Sequence, residues 1–196
     1  YEISFMIVFI VLVTLLILYI VYENHTRNKE LLKYAQTDAL TGLYNKETTE
    51  QLTDELLSED ENKYHAFLIL DVDCFKQIND IYGHAVGDIV LQKFGKLLKG
   101  TFREGDILGR IGGDEFGVIM KNIQTKDIAM KKAEELLAKT QAYKIDELKG
   151  NNISISIGIS TAPQDGDCYM DLYKRADQAL YQAKRSGKAR VCNYFS

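Results

Sequence analysis

The sequence predicts an α/β domain, a largely antiparallel sheet packed with helices, preceded by one transmembrane helix. Helical and strand-like runs intermix after residue 37 without regular βαβ repetition, which argues against a doubly wound parallel sheet. The composition, 46% apolar and 27% charged with a net charge of −4, is that of a globular chain and excludes disordered, collagen-like and disulfide-scaffold classes. The third observation is local. From Ile3 to Val21 there is no charge, and only Ser4 and Thr14 are polar, close to the roughly 20 apolar residues that a helix needs to span a bilayer core.

This apolar run is longer than the core of a signal peptide, about 7–15 residues, and no small-residue cleavage site follows it. Residues 1–22 are therefore expected to form a membrane helix. The following flank carries Arg27, Lys29 and Lys33, which the positive-inside tendency places in the cytoplasm, and Tyr19 and Tyr22 fit the interfacial belt. Residues 23–36 contain no Gly or Pro, and are expected to continue as a cytoplasmic connecting helix, too short to establish a coiled coil. Thr37-Asp38 breaks that pattern and opens a domain over 37–196. Because the chain begins with Tyr1, it is expected to be a piece of a longer protein whose sensor precedes it.

Within the domain, Lys46 to Ser58 reads as a helix, and Tyr64 to Asp73 reads as a buried strand ending in acids. His84 to Phe102 places Ile89, Val90, Phe94, Leu97 and Leu98 at helical spacing. Ile107–Ile111 and Phe116–Met120 flank Gly112-Gly113-Asp114-Glu115 and predict a β-hairpin, since its paired glycines permit the positive φ of a tight turn. Lys126 to Tyr143 is amphipathic. Ile153 to Ser160 alternates at period two as a strand, Tyr169 to Ser186 is a helix closed by Gly187, and Arg190 to Phe195 a final strand.

The acids carry the chemical signal. Asp71 and Asp73 end a strand two residues apart, and Asp114 and Glu115 sit at a hairpin tip. If the two strands are neighbours, carboxylates from both converge, and a hard oxygen set of that kind selects Mg²⁺ or Mn²⁺. Either pair alone would be ordinary for a solvated turn. An acidic balance excludes a general nucleic-acid binder. Cys74, Cys168 and Cys192 are odd in number and scattered, so neither a disulfide framework nor a zinc site is readable.

Gly112-Gly113-Asp114-Glu115-Phe116 resembles the signature of the GGDEF-type diguanylate cyclases. It is preceded at family spacing by Asp71-Val72-Asp73-Cys74-Phe75-Lys76, Asn79-Asp80 and Gly83-His84 with Gly87-Asp88. Asp38-Ala39-Leu40-Thr41-Gly42-Leu43 resembles the family's domain start, and Ala176-Asp177 through Ala183-Lys184 its last helix. The resemblance covers Thr37 to Phe195.

It implies a palm-like fold of the nucleotidyl cyclase type, with a mostly antiparallel central sheet flanked by helices. It implies a homodimeric enzyme that joins two GTP into cyclic di-GMP and releases two pyrophosphates. By motif position, Asp71, Asp114 and Glu115, with the Val72 carbonyl, would hold the cation. Asp114 would accept the 3′-hydroxyl proton, with Glu115 beside it as a further metal-side or ribose-side carboxylate. Asn79 and Asp88 would read guanine, and Phe75, His84, Gly112 and Gly113 would line the substrate. Lys76, Lys184 and Lys188 would contact phosphate, Lys188 standing where the family more often has Arg. Arg103 and Asp106 resemble the family's product-inhibition site, with Lys131 and Lys132 in the region where a second cation is recruited. The implied location is the cytoplasmic (inner) membrane of a bacterium, anchored through residues 3–21. The alternative is a receptor that binds cyclic di-GMP or GTP with little turnover. Such a domain is expected to have lost a hairpin acid, and both are present here.

Overall fold

The computed structural model describes residues 12–24, 36–59 and 63–194. They belong to two units, residues 1–36 and 37–196. In the first, residues 12–24 are helical and expose Leu12, Leu15, Leu16 and Leu18. Among the described residues no helix is long and apolar enough to cross a membrane. Residues 3–11 of the expected span and 25–35 of the expected connector lie outside the described residues.

The second unit is built on a five-stranded sheet in the order β2-β3-β1-β4-β5. Its elements are α1 (Lys46–Glu59), β1 (His65–Val72), α2 (Phe75–Tyr82), α3 (His84–Thr101), β2 (Ile107–Arg110), β3 (Glu115–Met120), α4 (Lys126–Ala142), β4 (Ile155–Ala162), α5 (Tyr169–Arg185) and β5 (Val191–Asn193). β1 pairs antiparallel with β3 and β4, and β2 with β3; β5 adds to β4 in parallel. The sheet is thus mixed, with one parallel pair at its edge.

β1 is central and buried along its whole length, which explains its unbroken apolar run Ala66-Phe67-Leu68-Ile69-Leu70. Period two splits its side chains between two cores. Leu68, Leu70 and Val72 pack with Val90, Leu91, Phe94 and Leu98 of α3 and Ala129, Ala133 and Leu136 of α4. Phe67 and Ile69 face the opposite way, onto Leu57 of α1 and Tyr169, Leu172, Ala176 and Leu180 of α5. The same parity carries Asp71 onto the face that α5 covers.

β4 is also buried on both faces, so its serines do not face water. Ser160 Oγ donates to the Leu172 carbonyl at 2.8 Å, and Ser156 Oγ to Asp73 at 2.7 Å. Where α5 crosses β4 the chain carries Gly158: a Cβ there would lie 2.1 Å from the Ala176 carbonyl oxygen and 2.4 Å from the Leu180 nitrogen. Helix and strand meet backbone to backbone.

Candidate active site

Two strand ends and one helix build the site. Asp71 stands directly opposite Glu115 in the β1–β3 ladder, so both carboxylates rise from one face. Lys184, in the last turn of α5, reaches Asp71 with Nζ 2.7 Å from its carboxylate. Burial pushes the Asp71 carboxyl above its usual range; Lys184 opposes that shift and the charges of Asp114 and Asp73 add to it. Glu115 is raised in the same direction by burial and then by Asp71, Asp114 and Asp177, with Lys184 again opposing. Among the described residues, only Asp167, Cys168 and Asp171 gather three ligand atoms within 4.8 Å of one another. The Asp71, Asp114 and Glu115 carboxylates do not all lie within that distance of one another.

Asp114 is half-buried in the hairpin turn, and its carbonyl accepts from the Val72 N–H at 3.2 Å. The Asp73 N–H donates to the Ser154 carbonyl at 2.9 Å, toward β4. In a trans peptide the carbonyl points opposite to the N–H it shares a plane with, so the Val72 carbonyl is directed to the hairpin side, where the acids lie. The Asp71, Asp114 and Glu115 carboxylates and one carbonyl form an all-oxygen set that fits a hard divalent cation.

The hairpin corrects one expectation. Neither Gly112 nor Gly113 has positive φ. Gly112 is small for another reason: a Cβ there would lie 2.8 Å from Glu115 Oε2, so the missing side chain makes room for that carboxylate. Gly113 faces open space, and its carbonyl accepts from Arg110 Nη2 at 2.7 Å and Nε at 3.1 Å. Arg110 Nη1 also pairs with Asp38 at 3.1 Å. Burial opposes ionisation of Asp38, but bonds from Thr41 and the Arg110 charge hold its carboxyl below the usual range.

Asp71 and Asp73 part company. Asp73, 6% exposed, accepts from Ser154 Oγ at 2.8 Å, Ser156 Oγ at 2.7 Å and the Ala189 N–H at 3.1 Å. Its carboxylate pins β1 to β4 and to the loop after α5. In that loop Lys188 and Ala189 adopt φ of 60° and 49°, left-handed values that cost a non-glycine residue about 1 kcal/mol or more each. Lys188 is exposed, and its Nζ lies 3.2 Å from Cys74 Sγ, a bond that raises the lysine's pKa.

Asn79 lies on α2, a helix the sequence reading passed over, and its Oδ1 is buried without a hydrogen-bond partner. Beside it are Phe75 and, across on α3, Gly87. Asp88 follows Gly87 on α3 and is exposed, as are His84 at the helix start and Lys76 on α2.

A family model described as diguanylate cyclase, GGDEF domain, matches residues 35–190. The chain belongs to the GGDEF family. It is 37% identical over 170 residues to diguanylate cyclase A of Treponema denticola, covering 84% of this chain and 46% of that protein. With the response regulator PleD of Caulobacter vibrioides it shares 37% identity over 177 residues, 87% of this chain and 39% of the relative. Among solved structures, the coiled coil and GGDEF domain of DgcB from Caulobacter crescentus in complex with c-di-GMP superposes with a TM-score of 0.81 at 26% identity, covering 88% of this chain and 93% of that one. The chain spans about half or less of the length of these curated relatives.

In this GGDEF domain Arg103 and Asp106 lie at the end of β2 away from the acidic turn. Asp106 is buried; it accepts from Arg103 Nε at 3.0 Å and from the Lys121 N–H at 3.1 Å, while Arg103 Nη2 donates to the Lys121 carbonyl. Arg103, Asp106 and Lys132 line one cavity of about 560 Å³. Sequence reasoning missed Arg110, Ser154 and Ser156 as parts of the site. Of these, only Arg110, placed just before the glycine pair, carried a signal that could have been noticed.

Proposed function

We propose that this chain is a diguanylate cyclase that condenses two GTP molecules into cyclic di-GMP with release of two pyrophosphates. The observation that carries the reading is the in-register pair Asp71 and Glu115 beneath Lys184, with Asp114 retained in the adjoining turn. In each half-reaction the ribose 3′-oxygen of one GTP bonds to the α-phosphorus of the other, the bond to pyrophosphate breaks, and the 3′-hydroxyl proton leaves to the Asp114 carboxylate.

A divalent cation, Mg²⁺ or Mn²⁺, held by Asp71, Asp114, Glu115 and the Val72 carbonyl, would supply positive charge against the phosphoryl oxygens. The chain's own groups then position. Lys184 is held by Asp71 in this structure and can exchange that carboxylate for phosphate, with Lys188 and Lys76 completing the cationic side. The orphaned Asn79 carboxamide and Asp88 meet the guanine edge, whose N1–H and N2 donors adenine lacks. Arg103, which keeps an exposed side chain, offers a grip for product at a site remote from the acids.

Two protomers must face each other, since one domain holds one GTP. The uncharged run Ile3–Val21 and the basic flank after it support anchorage in a bacterial cytoplasmic membrane with the catalytic domain inside the cell. Incubating the 196-residue chain with GTP or ATP and Mg²⁺ and separating the products tests the reading. Cyclic di-GMP from GTP and no cyclic dinucleotide from ATP is expected; tight GTP binding without product would turn the assignment to a receptor.

A further inference from the structure

We infer that Gly87 is a specificity-determining residue, its missing side chain letting the Asn79 carboxamide lie where a guanine edge is read. The inference rests on the proposed role of Asn79 and names the part of the fold that enforces it. A Cβ on Gly87 would fall 1.9 Å from Asn79 Oδ1, 3.0 Å from its Cγ and 3.2 Å from Phe75 Cζ. No backbone demand explains a glycine here: Gly87 lies in the first turns of α3 without positive φ, and a helix otherwise favours alanine. The group occupying the vacated volume is the one whose oxygen is buried and unpartnered. A buried amide oxygen in that state calls for a partner from outside the chain, water or ligand. Asp88, the other proposed base reader, is the next residue on α3 and is exposed.

Because the nearest atoms are the end of a side chain, an added methyl displaces the carboxamide and leaves the helices in place. Phe75, the third neighbour, limits where the amide can go, since its ring closes the same space. The effect therefore falls on base recognition.

The test is equilibrium binding of a GTP analogue with a non-cleavable α–β bridge, and of the matching ATP analogue, to the 196-residue chain with Mg²⁺. Wild type, Gly87→Ala, Asn79→Ala and the double variant are compared, with thermal unfolding of each. Gly87→Ala is expected to unfold within a few degrees of wild type and to bind the GTP analogue about tenfold more weakly, with its preference over the ATP analogue reduced by a similar factor. On the Asn79→Ala background the same substitution is expected to change affinity less than twofold, because no carboxamide remains to displace. Wild-type affinity in Gly87→Ala, or losses that multiply in the double variant, would overturn the inference. So would a Gly87→Ala chain that failed to fold while the double variant folded, since the overlap would then act on the fold. Wild-type Asn79→Ala behaviour would instead remove the Asn79 reading on which the inference stands.

Discussion

Two aspartates separated by one residue are predicted to do opposite things when removed. Asp73→Ala deletes a carboxylate that takes three hydrogen bonds, from Ser156 Oγ at 2.7 Å, Ser154 Oγ at 2.8 Å and the Ala189 N–H at 3.1 Å. Bonds to a charged group contribute about 1.5–3 kcal/mol each when buried and less where water can replace them. Ser156 is fully buried, whereas the other two donors lie at partly exposed places, so a net loss of about 2–4 kcal/mol follows. The loop after α5 also loses the bond that holds Lys188 and Ala189 in left-handed conformations. Asp71→Ala removes one partly exposed ion pair to Lys184, a contribution of about 0–1 kcal/mol, and at the same time relieves repulsion with Asp114 and Glu115. At about 2–4 °C per kcal/mol for a chain of this size, Asp73→Ala should lower the melting temperature by roughly 4–16 °C and Asp71→Ala by no more than roughly 4 °C. Cyclase activity should behave in reverse order: Asp71→Ala loses turnover while folded, and Asp73→Ala keeps measurable turnover at low temperature. Thermal unfolding followed by circular dichroism, with product formation measured well below the midpoint, decides the matter. An Asp71→Ala protein at least as destabilised as Asp73→Ala would refute this division of labour.

Gly158→Ala should destabilise by about 3 kcal/mol or more, since its Cβ meets the α5 backbone at 2.1 Å and no side chain can yield; a melting temperature near wild type would show that the helix can lift at little cost. Glu115→Gln should stabilise the cation-free protein at neutral pH, because burial and neighbouring acids raise the Glu115 pKa and make its ionisation unfavourable to the folded state. That gain should shrink as pH falls and vanish well below about pH 4, the ordinary glutamate range, where folded and unfolded chains are both protonated; a gain constant with pH would contradict the cause given. Arg103→Ala should weaken inhibition by added cyclic di-GMP while leaving the initial rate within about twofold, and equal inhibition of both proteins would return Arg103 to a role in holding its own loop.

Much of this arrangement is legible in the chain because it is periodic or clustered. The helices Lys46–Glu59, His84–Thr101, Lys126–Ala142 and Tyr169–Arg185 announce themselves through apolar spacing, and their observed ends fall within a residue or so of those expected. The short helix Phe75–Tyr82 does not: its apolar stripe of Phe75, Ile78 and Tyr82 packs on the core, but eight residues are only about two turns, too few for periodicity to mark a helix. The meeting of Asp71 and Glu115 was foreseen only on the condition that β1 and β3 are neighbours, and strand order is a long-range property that local pattern does not encode. Asp73 shows the same limit from the other side. Spacing makes it a twin of Asp71, yet its neighbours are two serines and an amide from 81, 83 and 116 residues away. The smallness of two glycines has a related cause. Gly112 and Gly87 are small because Glu115 and Asn79 approach them, a fact of packing that turn chemistry alone cannot supply.

The central claim, that the acids at the ends of β1 and β3 form the reaction centre, is tested most directly by the product made from GTP and Mg²⁺ by wild-type chain and by Asp114→Ala. The turn holds Asp114 through its backbone carbonyl, which accepts from Val72, so the variant should keep its fold and melting temperature. Wild type is expected to yield cyclic di-GMP with two pyrophosphates per product, and Asp114→Ala to lose that activity by several orders of magnitude. Undiminished turnover by a folded Asp114→Ala chain would contradict the account.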